Sequence, residues 1–126
     1  MMVLLDTQAF LWWVTDDPRL SKRARTAIAS TPSVLSVASC WEMAIKASLG
    51  KLIVPRPVSR FLQQQIEVNG FTLLPVSLEA AAGVADLPFH HRDPFDRLLA
   101  AQARDQSLPI VSSDPVFGKY GVRRIW

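Results

Sequence analysis

A three-layer α/β/α sandwich around a mostly parallel sheet is the fold class this sequence predicts, and two observations predict it. Short apolar runs (VLL, SVLS, FTLLPV, PIVSS) alternate along the chain with longer stretches of helical periodicity. The runs show little polar alternation, so they read as strands covered by helices on both faces. With 126 residues, 49% of them hydrophobic, the chain is expected to form one domain over residues 1–126.

VLLD opens as a buried strand that Asp6 ends. Thr7 to Thr15 follows as a helix with Phe10, Leu11, Trp13 and Val14 available for packing, and Asp16, Asp17 and Pro18 break it. Trp12 and Trp13 are neighbours on that helix, so both cannot face one core fully. A second helix spans about Arg19 to Ser30, with Lys22, Arg23 and Arg25 on its solvated side. SVLS, residues 33–36, is a second strand. VASCWEMAIKASLG continues as a helix ending at Gly50, a natural left-handed C′ residue. Along it Trp41, Ala44, Ile45 and Ser48 share one side, while Glu42 and Lys46 stand four apart in the order that favours an ion pair.

KLIVPRP turns the chain, and residues 58–68 read as an amphipathic helix stopped by Asn69-Gly70. FTLLPV is the third strand. Ser77 caps a short alanine-rich helix to about Ala85, and residues 87–92 form a loop. Asp93 is then an N-cap and Pro94 the first residue of a helix running to about Gln106. PIVSS is the fourth strand, Asp114-Pro115 a turn, and VRRIW an edge strand whose arginines suit a solvated edge.

The longest apolar runs fall well short of the ~20 residues that span a bilayer, and no charged segment precedes a signal-like apolar one. A cytoplasmic protein with no membrane partner is expected. The single cysteine, Cys40, has no disulfide partner and reads as a small buried hydrophobe. A net charge of +3 permits a nucleic-acid partner without demanding one.

The chemistry concentrates in acids. In an open parallel sheet, ligands bind beyond the carboxyl ends of the strands where strand order reverses, and Asp6 and Asp114 each follow a strand directly. Glu42 lies early in the helix after the second strand; Asp93 and Asp96 open a later helix. Each has a local explanation as a cap or a dipole partner. Convergence would need more: two carboxylates about 4 Å apart repel by about 4 kcal/mol at an effective dielectric near 20. Such a group needs protons or a divalent metal. Oxygen donors without Cys or His at metal spacing favour Mg²⁺ or Mn²⁺ over zinc.

LLDTQAFLWW, SVASCWEMAIKASLGKL, HRDPFDRLLAAQA and PIVSSDPVF with KYGV close behind resemble PIN domains, and more narrowly the VapC-type toxins of bacterial toxin–antitoxin pairs. The resemblance covers the whole chain and implies a strand order 3-2-1-4-5, which places Asp6 beside Asp114. It implies metal-dependent hydrolysis of RNA phosphodiesters, with Asp6, Glu42, Asp96 and Asp114 as the catalytic and metal-binding quartet and Mg²⁺ or Mn²⁺ as cofactor. Asp93 stands at the rim. Thr7 and Ser113 are candidates for hydrogen-bond support, and Arg92, Arg97, Lys46 and Lys51 for an RNA groove. Lys46 has the alternative of pairing with Glu42, and His90 and His91 read as a polar loop. The implied partners are RNA, a VapB-like antitoxin and a second copy in a homodimer. Two rival readings are a non-cleaving PIN-like binding domain and a receiver-like phosphoacceptor. The receiver reading wants adjacent acids after the first strand, where Asp6 stands alone.

Overall fold

The computed structural model describes all 126 residues. Its strands are β1 (Val3–Leu5), β2 (Ser33–Ser36), β3 (Thr72–Leu74), β4 (Ile110–Val111) and β5 (Arg124–Ile125). Its helices are α1 (Thr7–Val14), α2 (Lys22–Ser30), α3 (Val37–Ser48), α4 (Val58–Asn69), α5 (Leu78–Gly83), α6 (Pro94–Asp105) and α7 (Val116–Lys119); a 3₁₀ turn, Val84–Asp86, extends α5. The strands form one sheet in the order β3-β2-β1-β4-β5, and every neighbouring pair is parallel.

The period-2 geometry of β1 divides the core. Val3 and Leu5 point to one face, against Phe10 of α1, Ala24 and Ile28 of α2, Met43 of α3 and Leu62 of α4. Leu4 points to the other, against Leu99, Ala100 and Ala103 of α6 and Phe117 of α7. No side chain of β1 reaches water, which is why its sequence lacks alternation. The buried alanines of α6 let that helix lie close to the sheet.

Boundaries follow the caps. Ser21 accepts the Ala24 N–H, so α2 starts later than its charge pattern suggests. Ser77 and Asp93 cap α5 and α6, as the sequence predicts. Gly50 is left-handed at φ 72° beyond the end of α3, and Gly70 at φ 66° ends α4. The edge strands are shorter than the apolar runs, because pairing reaches only Thr72–Leu74 and Arg124–Ile125. The stripe of Trp41, Ala44, Ile45 and Ser48 on α3 is the outer one: Trp41 is 61% exposed and stands edge-on to Phe95, while Ala38, Ser39, Glu42, Met43 and Ala47 face inward. Trp12 and Trp13 share the interface unequally. Trp13 donates its indole N–H to Asn69, and Trp12 packs against Trp126 with Nε1 buried and unpaired. No helix is long and apolar enough to cross a membrane.

One buried polar bridge locks α6 over the centre of the sheet. Gln102, fully buried, accepts from the Ser36 hydroxyl at 2.5 Å and donates to the Pro75 carbonyl at 3.3 Å. Gln102→Ala removes that bridge and leaves a small void, so stability is expected to fall by about 2–4 kcal/mol, read as a lower urea midpoint at unchanged slope.

Candidate active site

Register brings the first two acids together. Leu5 pairs with Val111, so Asp6 and Ser112 are the next residues on adjacent strands, both at the carboxyl end of the sheet. The Asp6 backbone N–H donates to Val111 O at 3.0 Å. Asp6 occupies the N-cap position of α1, yet its side chain caps nothing; Oδ2 accepts from the Ser112 hydroxyl at 2.6 Å. Ser112 Oγ in turn accepts the Asp114 N–H at 3.0 Å, and Asp114 Oδ1 accepts the Val116 N–H at 3.0 Å. Ser112 thus ties the acid after β1 to the acid after β4.

Glu42 reaches the same edge from α3. It is buried, and both carboxylate oxygens are engaged: Oε1 accepts from the Thr7 hydroxyl and Oε2 from the Lys46 ammonium, each at 2.7 Å. Ser39 Oγ lies 2.9 Å from Thr7 Oγ1. Asp93 spends Oδ1 on capping α6, accepting the Phe95 N–H at 2.8 Å and the Asp96 N–H at 3.3 Å. Asp96, a turn further on, has no such backbone duty.

All five acids line one cleft of about 450 Å³, together with Thr7, Lys46 and Lys51. A cavity of about 550 Å³ at the amino ends of the strands, lined by Met1, Arg104 and Arg123 among others, contains no acid. Charge in the cleft is under strain. Burial pushes the Asp96 carboxyl up to about 8, reinforced by repulsion from Asp6, Asp93, Glu42 and Asp114. Burial raises Asp6 as well, with Glu42 and Asp114 adding to it, against the lowering effect of the Ser112 hydroxyl and the Thr7 backbone N–H. The Glu42 carboxylate holds the Lys46 ammonium above its ordinary value. Oxygen donors carrying unrelieved negative charge suit a hard divalent cation.

A profile of the PIN domain matches residues 3–122. The chain belongs to the PIN-domain family. It is 33% identical over 115 residues to Ribonuclease VapC22 of Mycobacterium tuberculosis, covering 89% of this chain and 86% of that protein. Among solved structures, FitAcB from Neisseria gonorrhoeae matches with a TM-score of 0.69 at 21% identity, over 98% of this chain and 96% of that one. VapBC2 from Rickettsia felis, bound to a DNA fragment from its promoter, matches with a TM-score of 0.69 at 12% identity over the whole of both chains. At these identities the structural likeness concerns the fold, which is the PIN arrangement 3-2-1-4-5, and it sets aside the receiver-like reading.

Within this PIN domain several expectations need correction. Arg97 does not line an RNA groove: it is 5% exposed, donates to the carbonyls of Val84, Leu87 and Pro88, and lies under the Phe89 ring at 4.2 Å. Its guanidinium satisfies the loop before α6, a task that the sequence gives no hint of. Ser113 lines the cleft but is exposed and bonds to neither acid; its neighbour Ser112 supports Asp6 and Asp114 instead. Strand register alone identifies that serine. Arg92 is exposed but outside the cleft lining, whereas Lys51 is exposed within it. Lys46 lines the cleft while paired to Glu42.

His91 is the residue that sequence reasoning passed over. Its Nε2 lies 3.1 Å from Asp96 Oδ2 and 3.4 Å from Asp114 Oδ2, and these three side chains can offer ligand atoms within 4.8 Å of one another. His90 packs edge-on against Tyr120 instead.

The Asp96 shift carries a pH signature. In the unfolded chain its carboxyl titrates near 3.8 and in the folded one near 8, so the folded state holds the proton more tightly. That contribution to stability is complete below about pH 4 and is lost as pH rises through about 8. The metal-free protein is therefore expected to melt at falling temperature between about pH 5 and 8, with a shallower decline in Asp96→Asn. Melting curves at constant ionic strength check this, and parallel profiles for the two proteins contradict it.

Proposed function

We propose that this PIN domain is a divalent-metal-dependent endoribonuclease, and that it is the toxin of a VapBC-type toxin–antitoxin pair acting in the cytoplasm. The observation that carries the reading is the meeting of Asp6, Glu42, Asp96 and Asp114, delivered by four separate elements to one cleft at the carboxyl ends of β1 and β4. The similarity to a protein named as a ribonuclease supports RNA as the substrate. The similarity to chains of VapBC complexes supports a VapB-like antitoxin as the partner.

Asp6, Asp96 and Asp114 would hold Mg²⁺ or Mn²⁺, with Glu42 completing the acidic set. When bound, such an ion supplies an acidified water and positive charge for the phosphodiester. The rest is the work of the chain. Ser112 fixes the Asp6 carboxylate through Oδ2. Thr7 and Lys46 hold Glu42 from both sides, so it keeps one orientation. The Lys51 ammonium, exposed on the cleft wall, is placed to meet backbone phosphates. Asp93 keeps the amino end of α6 in place beneath Asp96, and its own role is structural.

Purified free of any antitoxin, the chain is expected to cut single-stranded or looped RNA with Mg²⁺ or Mn²⁺ and to stop in EDTA. Asp6→Asn and Asp96→Asn are each expected to lower the cleavage rate by about 100-fold or more while the protein still unfolds cooperatively. Cleavage that survives EDTA, or an undiminished rate in Asp96→Asn, overturns the metal assignment. For the toxin role, expression alone in a bacterium is expected to arrest growth, with rescue by the neighbouring small open reading frame.

A further inference from the structure

We propose that His91 is a positioning residue of the acidic cleft: its Nε2–H is shared by Asp96 and Asp114, and it sets the spacing of those carboxylates for a divalent cation without ligating the ion. This rests on the metal-dependent reading above and assigns a side chain to it.

Three observations place the ring. The Asp93 backbone N–H donates to His91 Nδ1 at 2.9 Å, so that nitrogen carries a lone pair and the ring proton sits on Nε2. Nε2 lies 3.1 Å and 3.4 Å from two carboxylates that arrive from different elements, Asp96 on α6 and Asp114 after β4, and neither acid has another ion-pair partner. The backbone beneath the ring is pinned too, because the His91 N–H donates to the buried Tyr120 hydroxyl at 2.9 Å. With the main chain held by Tyr120 and Nδ1 held by Asp93, the ring has little freedom to turn.

The same bonds argue against ligation. To coordinate a metal through Nε2, the ring would need its proton on Nδ1, where it would meet the Asp93 N–H head-on. An Nε2–H donor has no such conflict. A carboxylate offers about four lone-pair sites, so Asp96 and Asp114 can each accept from His91 and still face a cation. Hydrogen bonds of this kind orient metal-binding groups, and their loss typically lowers metal affinity about 10–100-fold.

Calorimetric titration of the full chain with Mn²⁺, and separately with Co²⁺, tests the assignment. His91→Ala is expected to weaken Mn²⁺ binding about 10-fold or more. His91→Gln, whose amide N–H can stand where Nε2–H stood, is expected to recover most of that affinity. Co²⁺ profits more than Mn²⁺ from an imidazole ligand, so equal losses for the two metals fit a donor. A larger Co²⁺ loss with no rescue by Gln marks His91 as a ligand and overturns the proposal. Normal Mn²⁺ uptake in His91→Ala overturns the role of His91 alone, whereas a wild-type chain that takes up no Mn²⁺ overturns the metal reading and this proposal together. If His91→Ala fails to fold, imidazole ¹⁵N shifts of the wild-type chain decide: a protonated Nε2 and bare Nδ1 are expected, and the opposite tautomer refutes the assignment.

Discussion

Like charges crowded into a partly dry cleft are the constraint around which this molecule is arranged. Carboxylates repel at short range, and burial removes the water that would screen them. A fold that brings five of them together must fix each one by other means. It does so for four of them: Ser112 for Asp6, Thr7 and Lys46 for Glu42, two backbone N–H groups for Asp93, and Val116 N–H for Asp114. Asp96 receives no comparable backbone or hydroxyl bond, and the charge conflict collects there, where its carboxyl rises to about 8.

Placing Asp96 depends on how α6 is seated, and α6 is seated by more than its alanine face. Gln102 reaches across to the ends of β2 and β3, and Arg97 gathers three carbonyls from the turn that leads into the helix. Tyr120, beyond Asp114, accepts from His91 and lies 3.5 Å from Arg97. The loop between α5 and α6 is thereby tied to the chain that follows β4. Buried polar bonds of this sort have one good geometry each, so they specify position where apolar packing alone would allow the helix to slide.

The sheet and its helices were legible in the sequence because their signals are local. VLL and PIVSS lack alternation since both faces are covered, and Asp93-Pro94 marks the start of α6 by capping chemistry. Asp6, Asp96 and Asp114 drew notice because a strand end or a helix start lies beside each, whereas Glu42 lies within α3 and joined them through the family resemblance. What stayed hidden depends on contacts between distant segments. Ser112 became distinguishable from Ser113 only once Leu5 was paired with Val111. Arg97 looked like a surface cation because nothing nearby in sequence announces three unsatisfied carbonyls. His91 sits in irregular backbone with no periodicity to orient it, and its anchor, Tyr120, is remote in the chain. The shared stripe on α3 was read correctly as a stripe, but periodicity does not say which of two apolar sides faces the core.

The central claim is that these acids form a single metal-binding unit with one proton too many at neutral pH. Mn²⁺ titration of the metal-free chain in two buffers of different ionisation enthalpy measures the protons released on binding. With Asp96 near 8, about one proton should leave per ion at about pH 7 and almost none at about pH 9, and the release should vanish in Asp96→Asn. Binding without proton release at neutral pH, or release that persists in Asp96→Asn, would contradict the account.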